Sequence, residues 1–116
     1  MAAMKVGPVE VLEAHVRRFN EAVRSGDFTE MVEGFTADAE MVFEGVPVGP
    51  FVGREAIAEA YSRQPPDDEV RRLGASRVDG ECVETDYAWA ADGRRAGRMV
   101  VTARDGAIAR LIITFE

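Results

Sequence analysis

The sequence predicts an α+β fold, with helices gathered towards the start of the chain and an antiparallel sheet after them. Two observations predict it. Apolar residues recur at steps of three and four near the N-terminus, which is the period of one helix face. Three Asp-Gly pairs follow later, each thirteen residues from the next and each between apolar runs. The order of these segments indicates helices that cover one side of a curved sheet.

The first predicted helix begins near Pro8, which suits a first turn, and stops at Ser25-Gly26. Asp27 followed by Glu30 resembles a capping box and predicts a short second helix directly afterwards. The apolar face of the first helix consists of Val9, Leu12, Val16, Phe19 and Val23. We expect this face to pack against the sheet.

A strand, AEMVFE, is predicted over 39–44, and a third helix, REAIAEAYSR, over 54–63. Tyr61 lies on the apolar face of this helix, which ends before Pro65-Pro66 because proline cannot continue a helix. A Gly/Pro segment, GVPVGPFVG, connects the strand to the helix and is expected to shape the rim of a cavity.

The three Asp-Gly pairs predict β-hairpins, because a type I′ turn needs positive φ at both of its central residues. The pairs are Asp79-Gly80, Asp92-Gly93 and Asp105-Gly106. Three turns imply an antiparallel meander of four strands, near 69–78, 82–91, 96–104 and 107–115. The last of them, AIARLIITFE, is rich in β-branched residues, which favour strands.

Alternation with a period of two assigns the two faces of these strands. The face that belongs against the helices consists of Val83, Thr85, Tyr87, Trp89, Met99, Val101, Ala103, Leu111, Ile113 and Phe115. Thr85 and Tyr87 are the polar members of this set, so the inner face offers little for chemistry. The outer face mixes charged and apolar side chains, among them Glu84, Asp86, Arg98, Val100, Arg110 and Ile112. Such a surface meets water or pairs with a second copy, and we expect a homodimer through it.

Composition limits the function. The 116 residues predict a single domain over 1–116, and the net charge of −7 argues against nucleic acid, whose phosphates need clustered Lys and Arg. Cys82 is the only cysteine, so an internal disulfide and a CxxC metal site are excluded. Neither a signal peptide nor a membrane span is recognisable. We therefore expect a cytoplasmic protein with no metal or other cofactor and no membrane partner.

Two stretches, RRFNEAVRSGDFTEMVEGFTADAEMVFEG and FVGREAIAEAY, resemble the nuclear transport factor 2-like superfamily, which includes ketosteroid isomerases, SnoaL-like polyketide cyclases and limonene epoxide hydrolases. The matching features are the Gly26-Asp27 break, Phe35 with Asp38-Ala39 ahead of the first strand, and Gly53, Ile57 and Tyr61 around the third helix. The resemblance extends over about residues 8–115. It implies a cone, in which a strongly bent sheet wraps a long helix and leaves an apolar cavity open at one end. Many members of the superfamily pair through the outer face of the sheet.

The ketosteroid isomerase mechanism cannot be carried over to this sequence. The resemblance puts Phe19 where that enzyme has its oxyanion-binding tyrosine, and Phe43 where it has its carboxylate base. The second oxyanion donor falls around Met99-Val100. These side chains can neither donate to an enolate nor take a proton. Tyr61 does match a family tyrosine that supports the oxyanion donor through a hydrogen bond.

The limonene epoxide hydrolase mechanism needs an Asp-Arg-Asp set on inward strand positions, where it activates water and protonates the epoxide. Asp86, Arg98 and Arg110 are the residues that lie on the predicted strands. Strand parity sends all three outward, so we expect this chemistry to be absent as well.

Three residues remain as candidates for catalysis: Glu44, Tyr61 and His15. A bulge at Glu44-Gly45 would bring the Glu44 carboxylate to the cavity mouth as a general base; alternatively, it is a solvated strand end. His15, the only histidine, borders the apolar helix face and could relay a proton; alternatively, it is buried and bonded to backbone. Tyr61 and Tyr87 could donate to a carbonyl, or could be core aromatics whose hydroxyls are satisfied locally.

The residues expected to bind a ligand are Phe19, Phe35, Phe43, Phe51, Tyr87, Trp89, Met99 and Phe115. Phe51 either closes over the ligand as a lid or anchors its loop in the core. Two functions stay open. One is an enzyme that moves a proton in the isomerisation or cyclisation of a small hydrophobic molecule. The other is a ligand-binding or dimeric interaction module of the same fold, without chemistry.

Overall fold

The computed structural model describes residues 6–115, which form three helices and six strands. The helices are α1 (Pro8–Ser25), α2 (Thr29–Glu33) and α3 (Arg54–Arg63). The strands are β1 (Phe35–Glu44), β2 (Phe51–Val52), β3 (Val70–Asp79), β4 (Cys82–Trp89), β5 (Arg95–Arg104) and β6 (Ala107–Thr114). The predicted α+β class and the order of the predicted elements are confirmed. None of the helices in this range is long and apolar enough to cross a membrane.

The six strands form one sheet in the order β2-β1-β6-β5-β4-β3. The meander from β3 to β6 is antiparallel, as predicted, whereas β1 runs parallel to β6. β2 is not predicted by the sequence, because two residues are too few to show an alternating pattern. It pairs Phe51 with Met41 and Val52 with Glu40 at the edge of β1. The first and last long strands of the chain are thus neighbours.

The last Asp-Gly pair forms the predicted type I′ turn. Arg104 pairs with Ala107, so Asp105 and Gly106 are the two central residues of this hairpin. Their φ angles are 53° and 77°, and a type I′ turn needs positive φ at both of these positions. The Asp-Gly signal is therefore fully realised here.

At the first Asp-Gly pair, the turn lies one residue later than predicted. Asp79 belongs to β3 and pairs with Cys82, so the hairpin turns at Gly80 and Glu81. Gly80 has a φ of 61°, whereas Glu81 does not have positive φ. This is the pattern of a type II′ turn, in which glycine takes the first central position.

The middle Asp-Gly pair lies in a longer loop over 90–94, between the end of β4 and the start of β5. The N–H of Gly93 donates to the carbonyl of Trp89 at 2.9 Å within this loop. The type I′ prediction is wrong here as well, because five residues and not two connect the strands. All three pairs nevertheless mark a reversal of the chain.

The predicted inner face of the sheet is confirmed for the core positions. Its buried members are Val83, Thr85, Tyr87, Met99, Val101, Ala103, Leu111 and Ile113, none more than 8% exposed. Trp89 is half-buried and Phe115 is 36% exposed, because one ends β4 and the other follows β6. The helices pack on this face, with α1 against β3, β4 and β5.

The outer face of the sheet carries ion pairs. They join Arg77 to Glu84 (2.7 Å) and Asp86 (3.2 Å), Arg95 to Asp86 (3.3 Å), Arg98 to Glu84 (3.8 Å) and Arg110 to Glu40 (2.9 Å). Asp86, Arg98 and Arg110 therefore pair with outer-face partners, as strand parity predicts. They form no Asp-Arg-Asp set on the inner face of the described sheet.

β5 and the end of β6 approach each other closely at Gly97. A Cβ at this position would overlap the carbonyl oxygen of Thr114. The same oxygen accepts a hydrogen bond from the Tyr87 hydroxyl (3.1 Å), and the Thr114 hydroxyl accepts one from the Arg98 N–H (2.8 Å). Thr114 is consequently buried, although alternation predicts it outward.

The β4–β5 register shifts between Tyr87 and Ala88, a bulge that bends the strand.

Candidate functional site

An inner cavity of about 160 Å³ lies between the helices and the inner face of the sheet. Its lining consists of His15, Phe19, Phe43, Tyr61, Gln64, Pro66, Val70, Tyr87, Trp89, Met99, Ile113 and Phe115. Ile113 pairs with Phe43 on one side and Met99 on the other, so the inner cavity lies near the ends of β1 and β6. We call this the open end of the sheet. The closed end is the opposite one, where Phe35 pairs with Ile108.

The structure brings most of the predicted site residues together. Those that line the inner cavity are His15, Phe19, Phe43, Tyr61, Tyr87, Trp89, Met99 and Phe115. Periodicity had assigned six of them to the interior, namely Phe19, Tyr61, Tyr87, Trp89, Met99 and Phe115, and had placed His15 at the border of the apolar helix face. Their roles in binding or catalysis stay predictions.

Glu44 does not reach the inner cavity. It pairs with Thr114 in regular register directly after Phe43, and the register shift of this ladder lies between Phe35 and Glu40. Because successive side chains in a strand alternate, Phe43 points inward and Glu44 points away, and Glu44 is exposed. The expectation of a bulge that carries this carboxylate to the mouth is wrong.

Two predicted aromatic residues also lie outside the inner cavity. Phe35 is fully buried at the closed end, and its ring meets the His15 ring edge-on with centroids 5.6 Å apart. It therefore packs behind the cavity wall. Phe51 belongs to β2 and packs edge-on against Phe43 at 6.1 Å, which is the anchored alternative for its loop.

His15 is a neutral base in the inner cavity. Its side chain is 3% exposed and contacts Phe19 and Phe35. Burial, and to a lesser degree the positive charge of Arg18, lowers the pKa of His15 to about 4. The imidazole is therefore uncharged at pH 7, with one ring nitrogen as a donor and the other as an acceptor.

Two tyrosine hydroxyls reach the same region. The Tyr61 hydroxyl donates to Sδ of Met41 at 3.6 Å, and its ring stacks on Phe28 with centroids 5.2 Å apart. Burial raises the pKa of Tyr61, so it stays protonated. The Tyr87 hydroxyl donates to the Thr114 carbonyl at 3.1 Å and is satisfied locally. A thioether sulfur is a weak acceptor, so the Tyr61 hydroxyl is the easier of the two to redirect to a ligand.

An outer groove of about 430 Å³ adjoins the inner cavity. Its lining consists of Met41, Phe43, Val48, Phe51, Ala60, Tyr61, Arg63 and Gln64. Phe43, Tyr61 and Gln64 line both spaces, so these three side chains form the wall between them.

A helix groove of about 590 Å³ lies between α2 and α3. Tyr61 belongs to its lining too, but the other lining residues come from 26–33 and 54–65 and none from a strand. Charged side chains lie around it, namely Asp27, Glu33, Arg54 and Glu55. Arg54 is already engaged, since its guanidinium donates to the Phe35 carbonyl at 2.7 Å. The helix groove is the largest of the three spaces, yet it shares only Tyr61 with the predicted site.

Sequence reasoning missed several lining residues: Gln64, Pro66 and Val70 of the inner cavity, and Val48, Ala60 and Arg63 of the outer groove. Ile113 also lines the inner cavity, and strand alternation had already placed it on the inner face. No sequence pattern indicated that Arg63 and Gln64 would line a cavity. The rotation of a helix end over a sheet is decided by packing and cannot be read from local periodicity.

Within residues 6–115, no group of three or more His, Cys, Asp or Glu side chains is arranged to hold a metal ion. The part of the chain that the structure describes also contributes no Asp, Glu, Lys or Arg to the lining of the inner cavity. With His15 neutral, this lining is uncharged at pH 7.

This fold, a curved sheet packed around a long helix, is shared by solved structures of the NTF2-like class. Within that class, the chain belongs to the SnoaL-like domain family, whose family model matches residues 16–111. No curated protein matches this chain in sequence.

Solved structures share the fold. A candidate isomerase from Bacillus subtilis is 17% identical with a TM-score of 0.72, over 96% of this chain and 90% of that one. An NTF2-like protein of unknown function from Burkholderia xenovorans is 18% identical with a TM-score of 0.69, over 94% and 85%. A candidate ketosteroid isomerase from Kribbella flavida is 16% identical with a TM-score of 0.69, over 98% and 82%. At these identities the likeness shows the fold alone, and one fold serves many chemistries.

Proposed function

We propose that the inner cavity of this protein binds an uncharged, mainly apolar group of about the size of one six-membered ring. The observation that supports this proposal is the lining of the cavity, which is mostly aromatic and aliphatic, with a few neutral polar groups among them. Ligand sites in proteins have this composition: apolar walls give affinity, and a few polar groups fix the orientation.

The size of the ligand follows from the volume. An apolar cavity of about 150 Å³ holds one benzene molecule, whereas drug-sized ligands occupy about 300–1,000 Å³. The inner cavity, at about 160 Å³, belongs to the first group. A fused polycyclic molecule would not fit in it alone.

The charge of the ligand follows from the lining. A charged group would lose its hydration in the inner cavity and find no counter-ion there, which is costly. A carbonyl or hydroxyl group, in contrast, can bond to the neutral imidazole of His15 or to the hydroxyl of Tyr61. We therefore infer a ring that carries a ketone or hydroxyl group as the chemical class of the part that enters the inner cavity.

Trp89 makes the test direct, because it is the only tryptophan and lines the inner cavity. We expect cyclohexanone to change its fluorescence saturably, and cyclohexanecarboxylate to have no such effect. Val70→Phe should abolish the response by filling the cavity, whereas Val78→Phe, on an exposed part of the same strand, should keep it. Circular dichroism checks that both variants fold. Absence of a saturable response in wild type, or an unchanged one in folded Val70→Phe, would refute the proposal.

Proton transfer is a second candidate function, favoured by the neutral imidazole within the inner cavity. With a pKa of about 4, His15 is a base of comparable strength to the aspartate that moves the proton in ketosteroid isomerase. It would take a proton from the carbon beside a ketone, while the Tyr61 hydroxyl stabilises the enolate oxygen, and would return the proton to another carbon.

Hydrogen–deuterium exchange at the 2- and 6-positions of cyclohexanone in D₂O, followed by NMR, tests this second function. Wild type should accelerate the exchange, His15→Leu should lose the acceleration by about 100-fold, and Glu44→Gln should retain it. Loss of the acceleration in Glu44→Gln would restore that residue as the base. No acceleration in wild type would leave a binding module without this chemistry.

We also propose a homodimer through the outer face of the sheet. Val42, Val100 and Ile112 are half-buried and neighbours in register there, and ion pairs flank them. An apolar strip with a charged rim is typical of a homodimer interface. Sedimentation velocity tests it: wild type should sediment as a dimer and Val100→Lys as a monomer, and a wild-type monomer would contradict the proposal.

A further inference from the structure

The inner cavity and the outer groove differ in charge, although they are adjacent. The inner cavity has an uncharged lining, whereas the lining of the outer groove includes Arg63. The other lining residues of the outer groove are apolar or neutral. The chain has a net charge of −7, so a positively charged residue in the lining of an apolar groove is opposite in sign to the protein as a whole.

Arg63 is weakly engaged. It contacts Glu59, one helical turn earlier, at 2.6 Å, and the two side chains are 77% and 60% exposed. Such exposed pairs contribute little, because water and salt screen them. A guanidinium has five N–H donors in a planar fork, so it can bind a carboxylate or phosphate alongside Glu59. Arg63 can therefore bind a ligand with little effect on the stability of the fold.

The position of Arg63 at the end of α3 limits the strength of such an interaction. The last carbonyl groups of a helix carry a partial negative charge, which disfavours an anion nearby. The positive charge of Arg63 offsets this field only in part. We therefore expect an anion to be preferred by a modest factor, and the preference to weaken as salt is added.

The wall between the two spaces has a fixed part and a movable part. Phe43 is fixed, because its ring packs edge-on against Phe51 and stacked on Phe115, both at 6.1 Å. Tyr61 is buried. Gln64 is exposed and follows the last residue of α3. A ligand that extends from one space to the other therefore passes beside Gln64.

We infer that the ligand of this protein is an amphipathic anion: its ring lies in the inner cavity, its chain follows the outer groove, and its acidic group binds Arg63. This inference rests on the proposed binding of a neutral ring in the inner cavity, and it adds the chemical class of the whole molecule. An uncharged inner cavity and a basic outer groove are complementary to a molecule with one apolar end and one anionic end.

The test uses cyclohexyl-substituted carboxylic acids with chains of two, four and six carbons, each compared with its primary amide. Trp89 fluorescence reports binding. At low salt, wild type should bind one of the acids about 3- to 10-fold more tightly than its amide. Arg63→Gln should bind both equally and keep the affinity for the amide. Arg63→Lys should restore part of the preference, and Arg94→Gln, an exposed arginine outside both linings, should behave like wild type.

The outcomes separate this inference from the proposed function. If cyclohexanone binds and no acid is preferred over its amide, the inference is wrong and the neutral ring site stands. The inference is equally wrong if Arg63→Gln keeps the full preference. If neither cyclohexanone nor any amide binds, both proposals fail. A preference that Arg63→Gln removes and that falls with added salt supports the inference. Alkyl phosphates of the same chain lengths then distinguish a phosphate from a carboxylate head group.

Discussion

Each end of the β1–β6 ladder contains a Phe–Ile pair, but the two pairs differ in how deeply they are buried. At the closed end, Phe35 pairs with Ile108, and the two are 0% and 1% exposed. At the open end, Phe43 pairs with Ile113, but Phe43 is half-buried and both line the inner cavity. The local sequence pattern is alike, so the difference lies in what the helices place above each pair.

The closed end is filled by packing, whereas space remains between the side chains of the open end. A protein interior normally leaves few voids, because each void forfeits dispersion contacts. We therefore expect the closed end to contribute more to the stability of the fold than the open end. Unfolding measurements on paired variants test this difference between the two ends.

The largest expected effect is a difference between two phenylalanine truncations. Phe35→Ala should lower the free energy of unfolding by about 3–5 kcal/mol, because it opens a new cavity in a filled core. Phe43→Ala should cost about half as much or less, since its ring is half-buried and already borders empty space. Urea denaturation followed by circular dichroism measures both. Equal losses would contradict the division into a stabilising end and a functional end.

His15 lies between the two ends, and its titration gives the next effect. The pKa of His15 is about 4 in the folded state and about 6.5 in the unfolded state. Between these two pH values the unfolded state binds a proton at His15 and the folded state does not. The free energy of unfolding should therefore fall as pH is lowered through this window, by about 3 kcal/mol in total. It should fall by about 2 kcal/mol between pH 6.5 and pH 5, where few carboxylates titrate. A His15→Leu variant with the same slope over this range would show that another group is responsible.

The open end is held by polar bonds as well as by packing, and these should give a smaller effect. The Asn20 side chain donates to the carbonyl of Val70 (3.0 Å) and accepts from its N–H (2.8 Å), which ties α1 to the first residue of β3. Asn20→Ala should cost about 1–2 kcal/mol in unfolding free energy. Glu21→Ala, an exposed neighbour on the same helix, serves as the control and should be nearly neutral. A neutral Asn20→Ala would show that packing alone holds this end.

The smallest effect is expected on the outer face of the sheet. Arg77 contacts Glu84 and Asp86, but its side chain is 52% exposed. Arg77→Gln should therefore leave the free energy of unfolding nearly unchanged, and any small change should shrink further in high salt. A loss comparable with that of Phe35→Ala would mean that the charged face, and not the closed end, dominates stability.

The fold could be predicted because its signals are local. Alternation in β4, β5 and β6 indicated which side chains face inward, and the Asp-Gly pairs marked every reversal of the chain within the meander, although only Asp105-Gly106 formed the expected turn. The type of each turn depends on loop length, which the neighbouring strands settle together.

The site could be predicted only in part, because it depends on how elements meet. Periodicity indicated that Phe19 and Trp89 face inward and that His15 borders the apolar face of its helix, and all three line the inner cavity. For Glu44 a bulge was assumed, but the ladder with β6 stays regular. Periodicity alone sends the Glu44 side chain outward. It could not find Arg63, because nothing in a helix sequence states which neighbour its last turn will face.

Gly97 has a consequence for how sequences of this kind can diverge. Any side chain there would collide with the Thr114 carbonyl, which the Tyr87 hydroxyl also needs to reach. Substitution is therefore strongly disfavoured at this one position, whereas Trp89, Phe115 and Gln64, which also line the inner cavity, are partly or fully exposed. The missing side chain at Gly97 thus sets how closely the last two strands approach each other at the end of the sheet.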